Sequence, residues 1–159
     1  MNPEDYRAAM RCVPTGVAIV ATRIAGAPKG FTANAFASVS AEPPILLVCV
    51  NRGARSHPAI ALAGTFSLNL LRLEQQELAE RFASHAASDP FAGVALRVDR
   101  SGAPILAEAL AYFDCTLAEE HSAGTHTIFL GAVVACGRSA GAPLGYFDAG
   151  YRDFGCRVP

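Results

Sequence analysis

Four histidines, each beside a hydroxyl, and one loop with two arginines are the residues of this chain whose types are suited to chemistry. Serine adjoins histidine at Ser56-His57, Ser84-His85 and His121-Ser122. Sequence neighbours seldom form a nucleophile and its base, and no G-x-S-x-G elbow is present, so serine hydrolysis is disfavoured. His121 and His126 stand five apart across an expected turn with no third ligand in range, and no metal site is expected. The carboxylates are dispersed, which leaves little for paired acid-base work. Phosphate recognition fits better. G-x-G-x-x-G and G-x-x-x-x-G-K-[ST] are both absent, which removes the usual nucleotide folds. However, an apolar strand ends at Val50, a loop with Arg52 and Arg55 follows, and Ser56 can cap a helix. Backbone N–H groups at a helix start, with hydroxyl and guanidinium donors beside them, make an anion site. The plain alternative is a capped helix with surface arginines. His126, between Thr125 and Thr127 and ahead of the apolar IFLGAVV, stands at the mouth of a strand; read alone, it is a partly exposed strand histidine.

Upstream of that loop lies GFTANAFASVS, Gly30 to Ser40. Its odd positions are Phe31, Ala33, Ala35, Ala37 and Val39, and its even ones Thr32, Asn34, Phe36, Ser38 and Ser40. The alternation predicts one strand with an apolar face and a face of small neutral hydrogen-bonders. Between Lys29 and Arg52 the chain carries a single charge, Glu42. Such a polar face is too mild for bulk water.

The elements that must position these residues sit in a chain of 159 residues, the length of one ordinary domain spanning 1–159. Hydrophobic residues make up 52% and charged ones 17%, apolar enough to point to a buried subunit interface or a covered pocket. Net charge is −1, with no basic stripe, so no nucleic-acid partner is expected. The run Ile45 to Val50 is too short to cross a bilayer, and Met-Asn-Pro-Glu-Asp is acidic where a secretion signal is basic, so no membrane partner is expected and the chain reads as cytoplasmic. The five cysteines form no CxxC pair; an odd count without a secretion signal points to reduced thiols, read as core packing.

Asn2-Pro3-Glu4-Asp5 predicts a helix from about residue 3 to Cys12. Gly16 to Thr22 reads as a strand, and a turn at Ala25 to Gly30 joins it in a hairpin to the stretch above. Pro43-Pro44 opens ILLVCV, which lacks polar alternation and is expected to be a central strand buried on both faces. Ser56 to Ala63 reads as a short helix, Thr65 to Leu71 as a strand, and Leu73 to Ala83 as a helix. Ser84 to Pro104 reads as a long irregular connection, a class more often functional or interfacial than decorative. Ala111 to Glu119 and Thr125 to Gly137 read as strands flanking a turn at His121 to Gly124, with a short segment after Pro143. The pattern is mainly β (α+β), an antiparallel barrel with a few flanking helices.

In order along the chain, GFTANAFASVSAEPPILLVCVNR, RSHPAI, FSLNLL, LAERFA with a downstream DPF, GTHTIFLGAV and PLGYFDAGYR resemble the flavin reductase-like family with the FMN-binding split β-barrel fold. The likeness is greatest to the small reductase components of two-component flavin-dependent monooxygenases and spans roughly residues 5 to 155. It implies a homodimer that binds FMN or FAD, reduces it with NADH or NADPH, and passes reduced flavin by diffusion to a separate monooxygenase. The cofactor-binding set it implies is Phe31, Thr32, Ala33, Asn34, Ser38, Val39, Ser40, Cys49, Val50, Asn51, Arg55, Ser56, His57, Phe82, His126 and Tyr146. In that set Thr32 to Asn34 run along the isoalloxazine edge, Ser38 to Ser40 lie near the ribityl phosphate, and Asn51 to His57 wrap the phosphate. His126, the one residue given a catalytic part, is expected beside the nicotinamide with Tyr146. Two departures stand out. Ala54 takes the first hydroxyl position of a family S-x-T whose second is Ser56, and Asn34-Ala35 stands where Asn-Ser is common; each lost hydroxyl costs on the order of 1 kcal/mol. A flavin-binding module without turnover, and an unliganded dimeric interaction domain, are the competing readings.

Overall fold

A computed structural model of the chain describes residues 1–54, 56–84 and 88–154. Arg55, His85 and Cys156 lie outside the described residues. Helix α1 (Pro3–Met10) starts where its sequence says it should: the Asn2 side chain accepts from the Glu4 N–H at 3.0 Å, Pro3 opens the first turn, and Glu4 and Asp5 face its positive end. It stops two residues short of the expected Cys12 and buries none of its own residues.

Seven strands form one antiparallel sheet in the order β3-β2-β6-β9-β10-β5-β4. They are β2 (Ala18–Ile24), β3 (Ala27–Ala33), β4 (Phe36–Ala41), β5 (Pro44–Asn51), β6 (Thr65–Leu70), β9 (Ala111–Ala123) and β10 (His126–Arg138). β2 and β3 are a hairpin whose turn is only Ala25 and Gly26, at φ 48° and 82°, tighter than expected. β9 and β10 are longer than expected: His121 and Ser122 belong to β9, and the turn is Gly124 and Thr125. A second sheet joins β1 (Thr15–Gly16), β11 (Leu144–Phe147) and β12 (Gly150–Asp153). The connection expected to be irregular holds one small ladder, β7 (Leu96–Arg97) with β8 (Ile105–Leu106). Helix α2 (His57–Ala63) follows β5, and a 3-10 turn (Leu73–Gln75) leads into α3 (Gln76–Ala83). No helix among the described residues is long and apolar enough to cross a membrane.

The predicted single strand over Gly30 to Ser40 is two strands. The chain breaks at Asn34 and Ala35, and β3 and β4 lie at opposite edges of the sheet. Phe31, Ala33 and Phe36 all meet the same interior cluster, so the inward parity switches from odd to even across the break. Val39 is consequently 49% exposed. The sheet rolls until its edges are joined covalently through this corner, yet β3 and β4 do not pair, which leaves a split barrel.

Two apolar cores lie on the two faces of the sheet. Inside the barrel pack Ala18, Val20, Val48, Val50, Phe66, Leu68 and Phe129; outside it Ile19 and Ala21 meet Ala79, Phe82 and Phe91 from α3 and the long connection. The strand buried on both faces is thus β2, joined by β6. The expectation for β5 is corrected: it lies second from an edge, with Leu46, Val48 and Val50 inward and Ile45, Leu47 and Cys49 half-buried outward. Buried polar groups then fasten the long connection. Asp114 accepts from the Ser101 N–H at 2.8 Å and from its hydroxyl, while Asn69 accepts from the Leu106 N–H at 3.0 Å and donates to the Ile19 carbonyl at 3.1 Å. Core packing holds for Cys115, but Cys12 and Cys136 are exposed.

Burial, and after it the adjacent Asp114 carboxylate, pushes the Cys115 thiol up to about 12 from an ordinary 9.0. Between those values the unfolded chain has released a proton that the folded one still holds, so stability is full below pH 9 and falls as pH rises toward 12. The slope is at most about 1.4 kcal/mol per pH unit. Urea unfolding of wild type and Cys115→Ala across this range should give a steeper decline for wild type; parallel declines contradict the assignment.

Candidate functional site

Three adjoining clefts are strung along residues 27–36. The first, about 460 Å³, is lined by Lys29, Gly30, Phe31, Ala54, Ser56 and Phe82, with Asp89, Pro90 and Phe91 of the long connection opposite. The second, about 180 Å³, lies between Thr32, Asn34, Ala83, Tyr146 and Tyr151. The third, about 480 Å³, takes over at Asn34 and Ala35 and is walled by α1 and the β11–β12 turn. The first two open on β3 and the third on the corner that follows it. Among the described residues β3 is an edge strand paired only with β2, so alternate N–H and C=O groups of its other side have no strand partner.

The floor of the first cleft depends on Gly30. A Cβ there would stand 2.9 Å from the Val20 carbonyl oxygen and 2.9 Å from the Phe91 ring, so only glycine lets strand and ring approach this closely. Phe82 and Phe91 meet edge to face with centroids 4.7 Å apart, an arrangement worth about 1 kcal/mol beyond burial. The Phe91 N–H donates to the Asp89 carboxylate at 2.9 Å, and Arg81 donates to the Ala92 carbonyl at 3.1 Å, holding the wall from both sides. The DPF motif marks Phe91 in the sequence, but nothing local says that a loop phenylalanine returns to α3.

The mild polar face has a partial answer. The Thr32 hydroxyl donates to the Ala79 carbonyl of α3 at 2.6 Å, and the Ser40 hydroxyl accepts from the Glu42 N–H at 3.1 Å. Asn34 is exposed at the corner. In the expected anion cradle after β5, of which Arg55 lies outside the described residues, three backbone donors are taken within the loop. Gly53 N–H goes to the Asn51 side chain at 2.8 Å, Ala54 N–H to the Asn51 carbonyl and His57 N–H to the Ala54 carbonyl, each at 3.0 Å. The Arg52 guanidinium is drawn to the Gly124 carbonyl of the β9–β10 turn. Ser56 makes no side-chain cap; its hydroxyl points to the Gly30 carbonyl at 3.4 Å, on the first cleft.

Of the implied residues, the structure brings Phe31, Thr32, Asn34, Ser56, Phe82 and Tyr146 to these clefts. Ala33 is buried between them, facing the barrel interior. Ser38 and Ser40 instead line an apolar groove at the other edge of the sheet, and Val39 points to solvent. Val50 is in the interior core, and Cys49 is on the outer face of β5, where burial raises its thiol. His57 bonds Thr127 at 2.8 Å and meets the Phe129 ring at 5.4 Å. His126 pairs in register with Asn51 and Ala123, its Nδ1 2.9 Å from the Thr125 hydroxyl, and lines none of the three clefts. Tyr146 stacks edge to face on Tyr151 at 5.5 Å; burial, then Glu80 and Tyr146, raise the Tyr151 phenol.

A family model described as the flavin reductase like domain matches residues 10–155. The chain belongs to the flavin reductase like family. It is 40% identical over 151 residues to a Rhizobium meliloti (strain 1021) protein named "Probable flavin reductase", covering 94% of this chain but only 48% of that one. The chain therefore spans about half the length of that relative. To the reductase component of 4-nitrophenol 4-monooxygenase/4-nitrocatechol 2-monooxygenase from Rhodococcus opacus it is 37% identical, covering 97% of this chain and 82% of that one. Among solved structures, the Streptomyces globisporus C-1027 NADH:FAD oxidoreductase SgcE6, in complex with NAD and FAD fragments, superposes with a TM-score of 0.89 at 34% identity. That match covers 97% of this chain and 95% of the other. The fold is that of the flavin reductases, an antiparallel split barrel with flanking helices.

Proposed function

We propose that this protein is an NAD(P)H-dependent flavin reductase that hands reduced flavin to a separate monooxygenase. One observation carries the reading: a continuous run of clefts along an unpaired strand edge, floored by the only residue type that fits at Gly30. A flat ring with alternating donors and acceptors along one side matches the unpaired N–H and C=O groups along the edge from Thr32 to Asn34. Phe82 and Phe91 supply an apolar wall, while Ser56 and the Lys29 ammonium at the rim suit the phosphate end. The residues fit a flavin.

When bound, the flavin supplies an electron sink at N5 and the nicotinamide a hydride at C4, with one proton taken up from solvent. The protein is then left to orient and exclude water, which accounts for a site without a strong acid or base. The strand edge holds one ring, and Tyr146 over the neighbouring cleft limits where the second can stack. The cleft is open and lacks hydroxyls at Ala35 and Ala54, so binding is moderate and the flavin exchanges; a reductase serving a second enzyme needs that release. The Rhodococcus opacus relative, named as a reductase component, supports the monooxygenase partner. FMN, FAD, NADH and NADPH all remain within the chemistry of the site.

We read His126 as orienting the nicotinamide from a second copy or after closure, since one protomer leaves it outside the clefts. The half-buried outer face of β5, with Ile45, Leu47 and Cys49, supports a homodimer. Sedimentation should give twice the chain mass of 16.6 kDa; a monomer at micromolar concentration contradicts the dimer. Purified protein should oxidise NADH rapidly only with added FMN or FAD. A colourless protein whose NADH oxidation ignores added flavin would sink the reading. His126→Ala should raise the KM for NADH more than that for flavin, and the reverse pattern removes its role.

A further inference from the structure

Helix α1 is hard to account for by packing. Eight residues are too few for a helix to persist on its own, and this one buries none of them. Its C-terminal end is held by a hydrogen bond at 3.1 Å from the Asp148 N–H to the Arg11 carbonyl. Asp148 and Ala149 sit at φ 48° and 57°, two successive left-handed residues without a glycine, in the turn of the β11–β12 hairpin. The chain tolerates an unfavourable turn where it pins α1 in place.

What the pinned helix presents is a cationic face. Arg7 and Arg11, four apart, lie on one side of α1 and both line the third cleft, between Tyr6 and Tyr146. Among the described residues neither guanidinium has a hydrogen-bond or ion-pair partner, and the one carboxylate lining the cleft is Asp148. This cleft shares Asn34 and Tyr146 with the second cleft, at the opposite end from Ser56 and Lys29.

We propose that the third cleft takes the pyrophosphate and adenosine of the nicotinamide nucleotide, with Arg7 and Arg11 clamping the pyrophosphate. The inference rests on the flavin reading of Thr32 to Asn34. With the flavin phosphate toward Ser56, the end of the ring away from it adjoins Asn34, where the third cleft gives the rest of a stacked dinucleotide a way out. Two guanidiniums match two phosphate charges by paired N–H···O bonds, and the aromatic side walls suit adenine. The two arginines would set the KM for the hydride donor and leave flavin binding alone.

Calorimetric titration of ADP-ribose, which has the pyrophosphate and adenosine but no nicotinamide, tests this on the full chain. Binding to wild type should weaken by about tenfold or more in Arg7→Ala/Arg11→Ala. The Arg7→Lys/Arg11→Lys variant should recover part of it, while flavin titrations of all three proteins coincide. The KM for NADH should rise with kcat retained. Absent wild-type binding, equal ADP-ribose affinity in the alanine variant, or a variant that loses FAD affinity and keeps that for NADH, overturns the proposal. Because ADP-ribose binding is measured without flavin, a wild type that binds ADP-ribose through these arginines but no flavin would sink the flavin reading alone.

Discussion

The corner at Asn34 and Ala35 is the constraint on which the other features depend. There the chain leaves one edge of a seven-stranded sheet and enters the other, in two residues. The Ala35 carbonyl is taken at once by the Cys49 N–H at 2.8 Å, which commits the chain to β4 beside β5 and denies it to β3. Strand β3 keeps a free edge, and α3, the long connection and the β11–β12 hairpin gather along it without covering it. An unpaired edge is ordinarily a hazard for aggregation. On the proposed function, it is the surface on which the flavin ring is read.

The walls show how much of the molecule is devoted to that edge. Buried hydrogen bonds at Asp114 and Asn69 fasten a connection that would otherwise be loose, and the fastened loop delivers Phe91 against Phe82. Thr32 spends its hydroxyl on α3, so helix and edge strand move together. What is left facing the cleft is mainly backbone, glycine and aromatic surface. That surface suits the orienting role the proposed function gives it and offers little acid-base chemistry of its own.

Features set by near neighbours were legible in the sequence. The Asn2 cap, the β2–β3 hairpin and the antiparallel class all follow from local residue types. The alternation of Gly30 to Ser40 misled because parity assumes one continuous strand, and Asn34-Ala35 carries no proline or glycine to announce a break. ILLVCV misled because apolar residues toward an outer face look the same as residues toward a core. The loop after Val50 has the composition of a phosphate site, and spacing does not reveal that the Asn51 side chain takes the Gly53 N–H. The approach of Phe91 to Phe82, the pairing of His57 with Thr127 and the docking of α1 beside the third cleft depend on long-range packing, and no window of sequence contains them.

A crystal structure of the protein with FMN measures directly where the ring lies. Isoalloxazine density is expected along the backbone of Thr32 to Asn34, with the phosphate beside Ser56 and the ring's apolar end toward Phe82 and Phe91. Flavin density in the groove beside Ser38 and Ser40, with the β3 edge left bare, would contradict that placement.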